Sequence, residues 1–217
     1  MHPNPAFRSA ETEQNLAFAR AQSFGLLALS TEGAPLISHI PFQLSEDGTH
    51  AELHLVRSTE ITRALKTPTP ARLAVQGPHS YISPDWYGVP DQVPTWNYVA
   101  VHLTGTLERL PDSALEGILA RLSAQFEARL SPKPEWTMGK MTPDVLDKMM
   151  RQIVPFRLTI ENIEGTWKLG QNKPDAARLG GADGVAEAGL GLETGALAAF
   201  MRKPPPDARQ RRPPPLT

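Results

Sequence analysis

The sequence predicts a small, mainly β fold, a closed antiparallel barrel with peripheral helices. Three observations point there. Val99 to Leu107 alternates over nine residues, with Val99, Val101, Leu103, Gly105 and Leu107 on one face and Ala100, His102, Thr104 and Thr106 on the other. That is the period of a half-buried strand. Turn residues at Thr31-Glu32-Gly33 and Asp47-Gly48 separate short apolar runs at hairpin spacing. Helical stripes are few, and no strand–helix–strand alternation occurs.

The elements follow in order. Ser9, followed by Glu11 and Glu13, reads as the N-cap of a helix reaching about Gln22. Phe24 to Ser30, Leu36 to Leu44, Ala51 to Arg57 and Ala71 to Gln76 read as strands, the first two as a hairpin. A sixth strand, Pro155 to Glu164, places Phe156, Leu158 and Ile160 on one face. Leu115, Ile118, Leu119, Leu122 and Phe126 fall on one helical stripe. A second helix starts at Thr142 and Pro143 and carries Val145, Leu146, Met149, Met150 and Ile153. Both stripes read as core or dimer contact.

Composition narrows the class. The 217 residues include 22 prolines, 16 glycines and no cysteine. Disulfides, thiolate metal sites and a cysteine nucleophile are thereby excluded. No apolar run approaches the length of a membrane span. The N-terminal residues lack a basic stretch followed by a hydrophobic one, so a cytoplasmic protein without membrane association is expected. With 22 basic and 23 acidic residues, a net charge of -1 argues against a broad nucleic-acid footprint. Residues 1–172 read as one domain and 173–203 as an extension with a short helix near Glu193 to Met201. Residues 204–217 hold six prolines with Lys203, Arg209, Arg211 and Arg212 close by, a basic tail expected to be disordered.

Few residues suggest acid–base or nucleophilic chemistry. His50 and His54 share a strand face about 13 Å apart, too far for one ion. There is no GxGxxG or GxxxxGK[ST], so dinucleotide and P-loop readings fail; without HExxH or GxSxG a metal site would need distant histidines to converge, and a triad has no support. Val56 to Arg63 passes from strand to helix, and Arg57 with the hydroxyls of Ser58 and Thr59 at a helix start suits a phosphate. Gln76 to Tyr87 and Val93 to Tyr98 hold two of the four tryptophans and all three tyrosines. Their prolines predict a structured loop fit for a planar ligand or a subunit interface. Lys168 to Lys173, after Trp167, reads as an exposed polar loop.

These pieces resemble, in order, the PaiB-type family of FMN-binding negative transcriptional regulators. The resemblance is carried by His39-Ile40-Pro41-Phe42, Gln76 to Tyr87, Val93 to Tyr98, and Lys168-Leu169-Gly170-Gln171-Asn172. It covers about residues 1–175. Two departures from the family's pattern stand out: Ser58-Thr59 replaces the usual Ala-Asn, and Gly170 the usual serine.

The resemblance implies a six-stranded antiparallel Greek-key split β-barrel that binds FMN, a homodimer with the cofactor at the subunit interface. Ser38, His39, Ile40 and Pro41 would line the isoalloxazine, and His54, Arg57, Ser58 and Thr59 would hold the ribityl phosphate. Trp96, Asn97, Lys168, Gln171 and Asn172 would complete the pocket. The role implied is a flavin-linked negative transcriptional regulator. DNA contact would fall to a dimer-generated patch or the basic tail. The alternatives are a flavin-dependent oxidoreductase acting on NAD(P)H, and a haem-binding or haem-degrading relative using His39, His54, His79 or His102.

Overall fold

The structure is a computed structural model that describes residues 1–207. Helix α1 (Thr12–Gln22) leads into β1 (Phe24–Leu29), β2 (Leu36–Leu44) and β3 (His50–Val56). Next come α2 (Glu60–Ala64), β4 (Thr69–Ile82), β5 (Thr95–Arg109), α3 (Leu115–Glu127) and α4 (Pro143–Met150). The chain continues with β6 (Ile153–Lys168), α5 (Asp175–Ala188), β7 (Gly191–Leu192) and α6 (Thr194–Arg202). The proline-rich tail expected to be disordered falls outside the described residues from position 208 on. No described helix is long and apolar enough to cross a membrane.

Two compact units emerge. One comprises Ala19–Ala74 and Leu103–Asn162; the other comprises Met1–Phe18, Val75–His102 and the chain from Ile163. The barrel closes within the first unit. Strand order is β1-β2-β3-β6-β5-β4, and β1 pairs with β4 to complete the ring. Adjacent β3 and β6, and adjacent β1 and β4, give the Greek-key connectivity expected of a six-stranded split barrel. Every second residue points inward. Leu27, Phe42, Leu53, Leu73, Leu103, Leu107, Phe156 and Leu158 are fully buried. Each such side chain contributes about 1.5–3 kcal/mol through removal from water. Gly105 takes an inward position because β6 passes too close for a side chain: a Cβ there would lie 1.8 Å from the Thr159 carbonyl oxygen.

On the outer face of β3, Glu52 accepts from Arg157 Nη2 at 2.8 Å and from Arg121 of α3. This ties helix, β3 and β6 together. Burial alone would raise the Glu52 pKa, but the two guanidinium partners outweigh it and hold the carboxyl below its ordinary value.

In the second unit Trp167 is the organising side chain. Its Nε1 donates to Asn15 Oδ1 at 2.9 Å, and its ring meets Phe18 and Phe200 edge-on at 5.4 and 5.3 Å. Buried Arg178 donates to the carbonyls of Met201 and Arg202 and so satisfies the C-terminal end of α6.

Four elements differ from expectation. Ser9 does not cap α1, which begins at Thr12; its hydroxyl donates to the Ala6 carbonyl instead. The fourth strand does not stop at Gln76 but runs through Pro78 to Ile82, since proline's φ suits an extended strand and removes only one donor. Likewise Trp96, Asn97 and Tyr98 lie on β5 rather than a loop. Of the aromatic window, only Trp86 and Tyr87 sit in a turn, the 3-10 helix Pro84–Tyr87. Finally, the glycine-rich stretch after Lys173 is helix α5. Mid-helix glycine costs about 1 kcal/mol against alanine, but here it permits close approach. A Cβ at Gly184 would lie 2.3 Å from Trp86 Cδ2, and one at Gly180 2.4 Å from the Trp86 carbonyl oxygen.

Candidate functional site

One proline opens the barrel wall. Phe42 N–H donates to the Ser23 carbonyl at 3.0 Å, toward the β1 side. Successive N–H groups along a strand point to opposite neighbours, so position 41 would donate toward β3. Pro41 has no N–H to give. The β2–β3 ladder runs from Leu44–Ala51 only to Phe42–Leu53. Beyond it, Ser38 to Pro41 stay paired with β1, while His54 to Val56 stay paired with β6. The two strand ends that the resemblance implies for the ring and the phosphate are thus the two lips of this split.

His54 stands at one lip. Its Nδ1 is buried and has no hydrogen-bond partner among the described residues. Burial lowers its pKa, which favours the neutral imidazole. A buried, unpartnered polar atom costs roughly 1–3 kcal/mol, so a ligand supplying a partner would relieve it.

The outer wall beside the other lip is apolar. Cross-strand pairs Phe24–Pro41, Leu26–His39 and Ala28–Ile37 share the outward face of β1 and β2. Phe24 and Ile37 are 55% and 54% exposed. Ser38 and Ile40 point the other way. Ile40 is 2% exposed and fills the core, so only its main chain is offered to a ligand.

At the end of β3, Arg57 is held firmly. Its Nε donates to the Arg151 carbonyl at 2.9 Å, and its Nη2 lies 3.3 Å from the Ile153 carbonyl and 3.4 Å from Asp112 Oδ2. Helix α2 spans only five residues, too short to organise an anion at its start. Thr59 is its N-cap position, but the Thr59 hydroxyl donates to the Val56 carbonyl at 2.8 Å. Exposed Arg57 and Ser58 are what this turn offers a phosphate. Asp112 comes from the turn before α3, and nothing in the sequence joined it to Arg57.

The other five residues singled out in the sequence belong to the second unit. Trp96 is exposed and lies 5.4 Å from the His79 ring. Asn97 is 1% exposed, with its Nδ2 on Met201 Sδ at 3.6 Å. Lys168 Nζ donates to Thr95 Oγ1, and its pKa is lowered first by burial and then by Lys173. Lys173 Nζ sits 4.2 Å over the Tyr87 ring. Gln171 is internally engaged: Oε1 accepts from Leu169 N–H at 2.8 Å, and Nε2 donates to the carbonyls of Ala6 and Trp167. Asn172 is exposed. The loop expected to be exposed is therefore folded in around buried Leu169 and Gly170.

Residues 1–162 match the family described as "Putative FMN-binding domain". The chain belongs to that family. The chain is also similar to "Protease synthase and sporulation protein PAI 2" of Bacillus subtilis, 30% identical over 77% of this chain and 80% of that one. The fold is similar to that of a FAD and haem binding protein from Mycobacterium smegmatis, with TM-score 0.56, 20% identity, and coverage of 86% of this chain and 82% of that one. It is also similar to the flavocytochrome Anf3 from Azotobacter vinelandii, with TM-score 0.55, 14% identity, and coverage of 77% and 72%.

The residues at the split suit the FMN of the family's description. The outer positions beside the split are largely apolar, as a planar ring requires, His54 Nδ1 lacks a partner among the described residues, and a cation with a hydroxyl stands at the strand end.

Proposed function

We propose that the protein is a homodimer that binds FMN along the outer face of β1, β2 and the end of β3, and that it acts in the cytoplasm as a flavin-linked negative regulator of transcription. The observation that carries the site is the split at Pro41, with His54 Nδ1 across from it buried and without a partner among the described residues. His39 and Pro41 border the ring, with main-chain groups of Ser38 and Ile40 beside them. His54 takes a ligand hydrogen bond, and Arg57 and Ser58 meet the phosphate. FMN, when bound, supplies the redox chemistry, so the chain needs no acid–base or nucleophilic set of its own.

The outer wall supports the second copy. An antiparallel barrel strand facing water normally alternates to polar residues outside. Here Phe24 and Ile37 are more than half exposed in the two end pairs of a strip whose other outward members are Leu26, Ala28, Pro41 and His39, which suits burial against a twin. The regulatory role rests on the PaiB-type resemblance. FMN titration into purified protein, with particle mass measured alongside, tests binding and assembly. A gel shift at low salt, with and without FMN and with and without residues 204–217, tests DNA contact. No shift in any arm counts against direct repression.

A further inference from the structure

The first unit contains a second concavity, distinct in chemistry from the split. It has a volume of about 290 Å³ and lies among α3, α4 and the ends of β3 and β6. Met138, Met141, Met149 and Met150 line it, four of the six methionines in the chain and all within thirteen residues of sequence. Trp136 lines it too. No charged side chain does; the polar ones are Ser123 and Gln152.

We propose that this cavity binds a small, uncharged, largely aromatic molecule. The volume stands near the lower limit of small-ligand sites. That suits two or three fused or linked rings. A charged ligand would lose its hydration with no counter-charge in the lining. Methionine thioethers are polarizable, flexible and favourable against aromatic ring edges, and Trp136 offers a further π surface. Ser123 and Gln152 can orient one polar substituent. Val56 of the lining precedes Arg57, whose N–H donates to the Gln152 carbonyl at 2.7 Å. An occupant therefore touches the same strand end that carries Arg57, yet the proposal does not depend on flavin being bound.

The probe is N-phenyl-1-naphthylamine, neutral and fluorescent in apolar surroundings, titrated into the full chain. One saturable, blue-shifted site per chain is expected. Met149→Lys, at an exposed rim position, should weaken binding at least tenfold, as should Leu146→Asn. Leu190→Lys, an exposed apolar position outside the cavity, should leave it unchanged. Circular dichroism checks the fold of each variant, and Met149→Lys alone decides if Leu146→Asn unfolds. No blue shift, unsaturable uptake, or binding indifferent to Met149→Lys overturns the proposal. So does binding that arises only on dilution to monomer, since a second copy would then fill the cavity.

Discussion

Arg57 Nη2 stands 3.4 Å from Asp112 Oδ2, so the cation assigned to the flavin phosphate already has a carboxylate beside it. Asp112 also receives Arg109 at 2.9 Å, and its pKa is lowered first by that bond. Both partners of the Arg57–Asp112 pair are substantially exposed, so it contributes at most about 1 kcal/mol. Arg57→Ala should weaken FMN binding about tenfold, roughly 1.4 kcal/mol. Asp112→Asn should leave affinity equal or a few-fold tighter, because it frees the guanidinium. Fluorescence-quenching titrations of the two variants separate these outcomes; equal affinity for wild type and Arg57→Ala places the phosphate elsewhere.

The outer wall makes a separate prediction. Ile37→Glu puts a charge on an exposed position, so the barrel itself should fold with little change in stability. Light scattering should show the dimer replaced by monomer, with FMN affinity reduced. A dimer that survives this change does not use the β1–β2 face.

His54 sets an acid limit. Its folded-state pKa lies below the ordinary 6.5 because of burial. The unfolded chain therefore takes up the proton first as pH falls. Stability from this group is complete above the ordinary histidine range and is lost below it, until folded His54 also protonates. Denaturant midpoints measured from pH 7.5 to 5 should fall more steeply for wild type than for His54→Gln. The difference is at most one proton, about 1.4 kcal/mol per pH unit. Parallel curves would show that His54 is not desolvated.

Glu52 acts at lower pH. Its lowered carboxyl pKa means that stability is present above the ordinary carboxylate range and lost as pH falls through the folded value. Glu52→Gln should cost about 1–3 kcal/mol by equilibrium unfolding, less than a fully buried pair because Arg121 and Arg157 reach solvent. A cost below about 0.5 kcal/mol would mean the two arginines find water as good a partner.

Much of the barrel was legible because alternation is a local signal. The inward series through Gly105 follows from period two, and Leu36–Leu44 from the turn at Thr31-Glu32-Gly33 that sets a hairpin with the strand before it. The extent of β4 and β5 was not legible, because Pro78 and the Trp96–Tyr98 run look like loop chemistry until neighbouring strands pair with them. Helix α5 was hidden for a related reason: Gly180 and Gly184 signal flexibility unless Trp86 is known to press on them. At the site, Pro41 and His54 were visible as residues, but the split between them depends on which neighbour each N–H faces. Asp112 lies 55 positions from Arg57 and came with no spacing that could announce it. The methionine cavity left only part of its trace in a pattern: Met149 and Met150 fall with Val145, Leu146 and Ile153 on a stripe that reads as core or dimer contact, while Met138 and Met141 belong to no periodic run.

The central claim is that two barrels share an FMN site built on the Pro41 split. Sedimentation of the purified chain with FMN, followed at the flavin absorbance, tests it most directly. The account predicts flavin moving with a two-chain particle at one FMN per chain, with the co-sedimenting flavin reduced by Ile37→Glu. Flavin left behind in the free fraction, or carried equally well by a monomer, would contradict it.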